Sequence, residues 1–193
     1  MDKVTFIKIL EEGSHKLEYR DVLVKACLEN TSWISILLNN MRSIHDENSN
    51  FSARTFELVC KKNLAVIIPH LDTFFELLPI VILDGVTRPC SKICELLMIE
   101  YFSKCNDQFL NSITTIHQEK IIEAGFDWMI TNKPIAIQAY TMQTLYLLGT
   151  KYDWIHKELA LLIEKDIPTG STGYKNRGRK VLKAIETNTR LKL

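Results

Sequence analysis

The chain has 193 residues, of which 46% are apolar and 24% charged, and its formal net charge is +1. This length and composition predict one globular domain, residues 1–193, with a core of its own. Seven glycines and five prolines are few for a turn-rich all-β fold, and no apolar stretch reaches the roughly 18 residues of a membrane span. Charges interrupt the apolar run of residues 1–13, so we expect no secretion signal, no membrane partner and a cytoplasmic location.

Helical periodicity dominates the chain. Apolar residues recur at steps of three and four in segments 52–62, 91–102 and 136–148. Candidate helix caps open five first helices at Ser14, Ser52, Thr87, Asn132 and Ser171. Second helices are predicted at residues 31–45, 69–83, 118–130 and 154–165, with a kink at Pro79. The β-branched runs 64–68 and 79–83 leave strands as the alternative, but both lie inside longer helical patterns.

The predicted helices form a repeat. Successive candidate caps are separated by 38, 35, 45 and 39 residues, and each but the last is followed by two helices. A period near 40 residues with two helices per unit is typical of stacked helical hairpins. Segments 88–102 and 133–148 match best, since each has a basic residue and then a proline, which is tolerated in the first helical turn. The sequence therefore predicts an all-α superhelix of about four hairpins, closed by a terminal helix at 171–187.

Residues 132–149 resemble the first helix of a HEAT repeat: a polar turn, a proline, and then apolar and small residues on one side. Where the family pattern has Asp and Arg, this chain has Asn132 and Gln138. The resemblance implies a HEAT/armadillo-like α-solenoid with an extended surface for partners. We expect a non-enzymatic scaffold or adaptor that binds a protein partner along a groove lined by the second helices.

Sites for catalysis, cofactors or metals are not indicated by any motif. The five histidines are scattered, and no G-x-S-x-G, G-x-G-x-x-G or H-E-x-x-H occurs. The five cysteines are odd in number and irregularly spaced, which argues against a disulfide framework. Cys90 and Cys94 share a helix face, and the preferred interpretation is that both are small buried hydrophobes. We expect no catalytic residue, no cofactor and no metal ligand.

The segment 167–185, IPTGSTGYKNRGRKVLKAI, is the candidate binding element. It lacks the spacing and the preceding strand of a phosphate-binding P-loop, although a helix start can hold an anion through its free N–H groups. A helical wheel places Tyr174, Gly178, Val181, Leu182 and Ile185 on one apolar arc. The opposite, basic face consists of Lys175, Arg177, Arg179, Lys180 and Lys183. This face is interpreted as the solvated side of a capping helix, or as a site for an acidic protein or for nucleic acid.

Two further alternatives remain open. HEAT-like alkylation-repair DNA glycosylases use aromatic and acidic residues on a basic concave face, so Trp33, Trp128 and Trp154 are either junction fillers or recognition residues. The segments AYTMQTLYLLG and YKNRGRKVLK are also similar to small bacterial helical-repeat proteins, some of them named adenylosuccinate lyase. The S-S-x-M-P-x-K-x-N loop that carries the catalytic serine of that superfamily does not occur in this sequence.

Overall fold

The computed structural model describes residues 1–12, 17–43, 47–103, 107–131 and 133–187. Within these ranges the protein is all-α, with no strand, as the sequence predicts. The helices are α1 (Lys3–Glu12), α2 (Leu17–Glu29), α3 (Ile34–Met41), α4 (Glu47–Lys62), α5 (Leu71–Leu77), α6 (Asp84–Tyr101), α7 (Asp107–Ser112), α8 (Thr115–Ile130), α9 (Ile135–Gly149), α10 (Asp153–Asp166) and α11 (Thr172–Thr187). Two 3-10 segments precede α3 and α5, at Thr31–Trp33 and Leu64–His70.

The helices pack in two layers. Helices α2, α4, α6, α9 and α11 contact one another in that order and form the first layer. Helices α3, α5, α8 and α10 follow α2, α4, α6 and α9 along the chain and form the second layer, in which neighbouring helices meet less extensively. Helix α1 packs on α2 and α4, and α7 packs on α6. None of the described helices is both long and apolar enough to cross a membrane.

Helix α9 lies at the centre of the packing. It contacts α6, α8, α10 and α11, so that eleven of its fifteen residues are buried. A helix surrounded in this way has apolar residues on all sides rather than one apolar stripe. Helix α11, in contrast, packs mainly on α9 and α10, and buries one face of Tyr174, Gly178, Val181 and Ala184. Leu182 and Ile185, predicted on the same face, are half-buried at its margin.

One of the predicted caps is confirmed. The Ser171 Oγ accepts a hydrogen bond from the Tyr174 N–H at 3.2 Å at the start of α11. Ser52 and Thr87 are wrong as caps, because α4 begins at Glu47 and α6 at Asp84. Their hydroxyls lie inside these helices and donate back to the carbonyls of Asn48 and Leu83, which satisfies a buried polar group within its own helix. Ser14 and Asn132 lie outside the described residues.

The prolines also differ from expectation. Pro89 lies beyond the first turn of α6, since that helix begins five residues earlier. Pro134 immediately precedes α9, where the match between segments 88–102 and 133–148 places it. Pro79 does not kink a helix, because α5 ends at Leu77 and Pro79 lies in the following turn. The region predicted as one helix at 69–83 is therefore a 3-10 segment, a short helix and a turn.

Candidate functional site

A row of polar side chains crosses the otherwise apolar first layer from α2 to α11. These residues lie on all five helices of the layer and form separate small groups of ion pairs, ring contacts and a hydrogen bond, several of which join neighbouring helices. We call them together the polar stripe. Its members are Arg20, Arg54, Glu57, Lys61, Arg88, Lys92, Glu95, Tyr140, Gln143 and Arg177.

Glu57 on α4 is the centre of the stripe. Its side chain is fully buried, yet three cations reach its carboxylate. Arg54 donates a hydrogen bond to Oε2 from one turn earlier, and Lys61 Nζ lies 2.5 Å from Oε1 one turn later. Arg88 Nη1, on the neighbouring helix α6, donates to Oε2 at 3.3 Å. The buried charge is thus paired from two helices, as a buried carboxylate requires.

The pKa of Glu57 is a balance of opposing effects. Burial alone would raise the pKa, because a low-dielectric interior disfavours the charged form. Hydrogen bonds and charge attraction from Arg54 and Lys61 outweigh burial, so that the pKa lies below its ordinary value. Glu57 is therefore a carboxylate at neutral pH and holds its cations in place.

A second buried carboxylate lies one helix further along. Glu95 on α6 is 2% exposed, and Lys92 Nζ lies 2.5 Å from its Oε2. The same ammonium group lies 4.7 Å from the centroid of the Tyr140 ring on α9, within the range of a cation–π contact. Lys92 therefore connects α6 to α9 through its stem and its charge.

The two ends of the stripe are arginines. On α11, Arg177 Nη1 donates to the buried Gln143 Oε1 of α9 at 3.5 Å. On α2, the Arg20 guanidinium lies 5.3 Å from the centroid of the Phe51 ring on α4. Four of the five first-layer helices thus contribute a cation, and α9 contributes an aromatic ring and an amide.

This arrangement suits the binding of anions. The two carboxylates are covered, whereas the side chains of Arg54, Lys61 and Arg88 remain 33%, 35% and 38% exposed. Their outward N–H groups are available to a ligand, and their positions are set by the buried Glu57. The stripe holds six cations and two carboxylates, a formal net charge of +4. Charge-assisted hydrogen bonds from preorganised guanidinium groups are about twice as strong as neutral ones.

The predicted basic face of α11 is only partly connected to the stripe. Arg177 contacts the stripe through Gln143. Lys175 is half-buried, and Arg179, Lys180 and Lys183 are exposed and point away from the buried face of α11. Most of the stripe was not predicted from the sequence. A signal was present, since Arg20, Arg54 and Arg88 follow one another at intervals of 34 residues on three first-layer helices.

His117 and Asp72 form a pair that resembles a catalytic dyad. The His117 Nε2 lies 2.7 Å from Asp72 Oδ1. However, the Nδ1 atom accepts the backbone N–H of Thr114 at 3.3 Å and so completes the N-terminal cap of α8. Both ring nitrogens are occupied, and the side chain of Asp72 is 91% exposed. The pair therefore holds the start of α8 against α5.

The cysteines that the structure describes lie in the apolar core. Cys27, Cys60, Cys90 and Cys94 are buried and unpaired, which confirms the prediction for Cys90 and Cys94. Burial raises the pKa of Cys27 and of Cys90 to about 12, so that the nucleophilic thiolate is scarce at neutral pH. The described residues contain no group of three side chains that could hold a metal ion. Cys105 lies outside the described residues.

The tryptophans have different environments. Trp33 stacks on Phe6 with ring centroids 4.8 Å apart, and Trp128 is 5% exposed, so both fill junctions between helices. Trp154 is 51% exposed and stacks on Phe126 of the neighbouring helix α8. Trp33 and Trp128 therefore fill junctions between helices, whereas Trp154 contacts its neighbour with one side and leaves the other exposed.

Comparison with protein-family models, with curated proteins and with solved structures finds no match to this chain.

Proposed function

We propose that this protein is a HEAT-like interaction module that binds an acidic segment of a partner protein along the polar stripe. The supporting observation is the buried Glu57, which pairs with three cations from two helices, each about one-third exposed. A buried carboxylate is costly, and a hydrophobic residue would pack as well. The benefit of Glu57 is that it orients the cations before a ligand arrives, which reduces the entropy lost on binding.

The dimensions of the stripe fit a short extended peptide. Neighbouring packed helices lie about 8–10 Å apart, so a row across five helices is roughly 35–40 Å long. An extended chain advances about 3.3 Å per residue, which makes the stripe long enough for about eleven residues. An acidic segment of that length can place a carboxylate against each helix that contributes a cation.

A protein partner is favoured over nucleic acid by the charges. Buried Glu57 and Glu95 offset two of the six stripe cations, and the whole chain carries only +1. A dedicated nucleic-acid surface is more strongly basic. Nucleic-acid binding through the stripe and the α11 residues remains the alternative outcome, and it predicts a steep fall of affinity with salt. The proposal contains no catalytic step and no cofactor.

Fluorescence anisotropy with two labelled probes tests the proposal: a twelve-residue Glu/Asp-rich peptide and a twelve-nucleotide single strand. The double variant Arg88→Gln, Lys92→Gln removes two cations. Because the buried Glu95 then lacks its lysine, circular dichroism must first show that the variant is folded. Its affinity for the peptide should fall at least about tenfold, the equivalent of one lost charge-assisted hydrogen bond. The control is Lys157→Gln, which neutralises an exposed lysine of the second layer.

Saturable peptide binding that only the stripe variant weakens supports the proposal. Equal affinity of the stripe variant and the wild type would place the peptide elsewhere and contradict it. Tighter binding of the oligonucleotide than of the peptide, weakened by the same variant, would assign the stripe to nucleic acid instead.

A further inference from the structure

A cavity of about 520 Å³ lies among the four C-terminal helices, and none of its lining residues is a member of the stripe. It is lined by the ends of α8 and α10 and the starts of α9 and α11, is partly open to solvent, and has Thr169, Gly170 and Ser171 of the loop before α11 in its wall. Its volume falls within the usual range of small-molecule sites, about 300–1,000 Å³. The lining residues include Met129, Lys133, Pro134, Ile135, Gln138, Leu162, Lys165, Asp166, Thr169, Ser171 and Tyr174.

Two helix N-termini meet at this cavity. Pro134 and Ile135 line it at the start of α9, and Ser171 and Tyr174 line it at the start of α11. The two first turns are in contact, because a Cβ atom on Gly173 would lie 3.3 Å from Ile135 Cγ1. The first N–H groups of a helix have no partner within the helix, and the helix dipole adds positive potential there. The positive ends of a 15-residue and a 16-residue helix therefore converge on one cavity.

Gln138 provides an independent indication of a ligand. Its side chain lines the cavity and is only 7% exposed, yet it makes no side-chain hydrogen bond to any described residue. Polar side chains that are largely buried normally have hydrogen-bond partners. An amide in this position can donate its N–H groups to a bound anion.

The charges of the lining are mixed. The Lys133 ammonium is held by the Ile82 carbonyl at 2.8 Å and by Asp84 at 2.9 Å, whereas Lys165 is exposed at the rim. Asp166 is half-buried, and its carboxylate would repel an anion bound in the cavity. It lies close to the buried Tyr174 hydroxyl, and burial together with this carboxylate raises the pKa of Tyr174 to about 12. The hydroxyl keeps its proton, so Asp166 is the negative charge of the lining.

We propose that this cavity binds a small organic monoanion, with its carboxylate at the converging starts of α9 and α11 and its apolar part against Met129, Ile135 and Leu162. The amide of Gln138 donates to the carboxylate. One negative charge is favoured over two because Asp84 already pairs with Lys133 and Asp166 offsets Lys165, so that the two helix starts supply the remaining positive potential. This site goes beyond the proposed partner-binding function and does not depend on it.

Titration of ¹⁵N-labelled protein with 3-phenylpropionate, followed by NMR, tests the inference. We expect saturable shifts of the Ile135 and Gly173 amide signals. The neutral analogue 3-phenylpropionamide has the same apolar part without the charge, and it should bind at least about tenfold more weakly. The variant Gln138→Leu should weaken binding of the carboxylate, and Asp166→Asn should strengthen it, since that change removes the opposing charge.

Absence of saturable shifts would overturn the inference. So would equal affinity for the carboxylate and the neutral amide, which would indicate a purely apolar cavity. If Gln138→Leu fails to fold, the direction of the Asp166→Asn effect decides, because weaker or unchanged binding contradicts an anion in this cavity. The stripe variant Arg88→Gln, Lys92→Gln should bind 3-phenylpropionate like the wild type, which separates this test from that of the partner-binding proposal.

Discussion

Arg88 on α6 donates a hydrogen bond to Glu57 on α4 at 3.3 Å, joining a half-exposed guanidinium to a fully buried carboxylate on the neighbouring helix. The contact serves two purposes. It pairs a charge that would otherwise be isolated in the helix interface, and it positions a cation on the surface. Stability and ligand binding are therefore linked at Glu57, and both can be measured.

Removal of the buried charge should destabilise the protein. Glu57→Gln leaves Arg54, Lys61 and Arg88 without their carboxylate. These cations are about one-third exposed and can be solvated, so we expect the loss of charge-assisted hydrogen bonds to cost about 1.5–3 kcal/mol. Urea unfolding followed by circular dichroism measures the change. The matched control is Glu76→Gln, since Glu76 is 55% exposed and pairs with Arg42 at 3.2 Å. An exposed pair contributes less than about 1 kcal/mol to stability. Equal losses of unfolding free energy in the two variants would therefore contradict a special structural role for Glu57.

The same residue should make stability depend on pH. Because the folded protein depresses the pKa of Glu57 below its ordinary value of 4.5, the unfolded chain binds the proton more readily. The contribution of Glu57 is fully present above pH 4.5 and is lost as the pH falls through the folded pKa. Unfolding free energies measured from pH 7 to pH 3 should fall for the wild type. They should fall less steeply for Glu57→Gln, and parallel curves would show that Glu57 does not titrate in this way.

Docking of α11 should depend on Gly178. A Cβ atom at this position would lie 2.8 Å from Ile163 Cγ2 on α10, closer than side chains normally approach. Gly178→Ala gains about 1 kcal/mol of helix propensity, but overpacking costs about 1–3 kcal/mol. We expect a net loss of stability in thermal unfolding. Asn176→Ala, at an exposed position of the same helix, controls for helix propensity and should be neutral or stabilising.

The loss of stability on replacing a tryptophan should depend on how deeply that tryptophan is buried. Trp128→Ala removes a side chain that is 5% exposed and should cost about 3–5 kcal/mol. Trp154→Ala removes one that is 51% exposed and should cost less than about 1.5 kcal/mol, mainly through its stacking on Phe126. Chemical denaturation of both variants provides the comparison. A large loss of unfolding free energy for Trp154→Ala would contradict this prediction and show that the ring contributes to stability like a buried one.

The local pattern of apolar residues in the sequence was sufficient to predict the fold class. Steps of three and four in the apolar residues locate α4, α6, α9 and α11, because a helix buries one side and the period of its turns is a property of the backbone. The buried face of α11, its Ser171 cap and the burial of Cys90 and Cys94 follow from the same periodicity. Helix starts were less predictable: Ser52 and Thr87 have the side chains of caps but lie inside their helices.

The candidate site was decided by tertiary structure. Periodicity assigns Glu57 and Arg88 to faces of two helices, but their contact depends on the offset between α4 and α6, which packing of the whole layer sets. The cavity likewise requires the starts of α9 and α11 to meet, although 37 residues separate Ile135 from Thr172. The sequence by itself therefore determined the all-α class, the places of several helices and the buried face of α11. Only the tertiary structure decided which charges become neighbours, because electrostatic pairing depends on distances between helices and local periodicity carries no information about those distances.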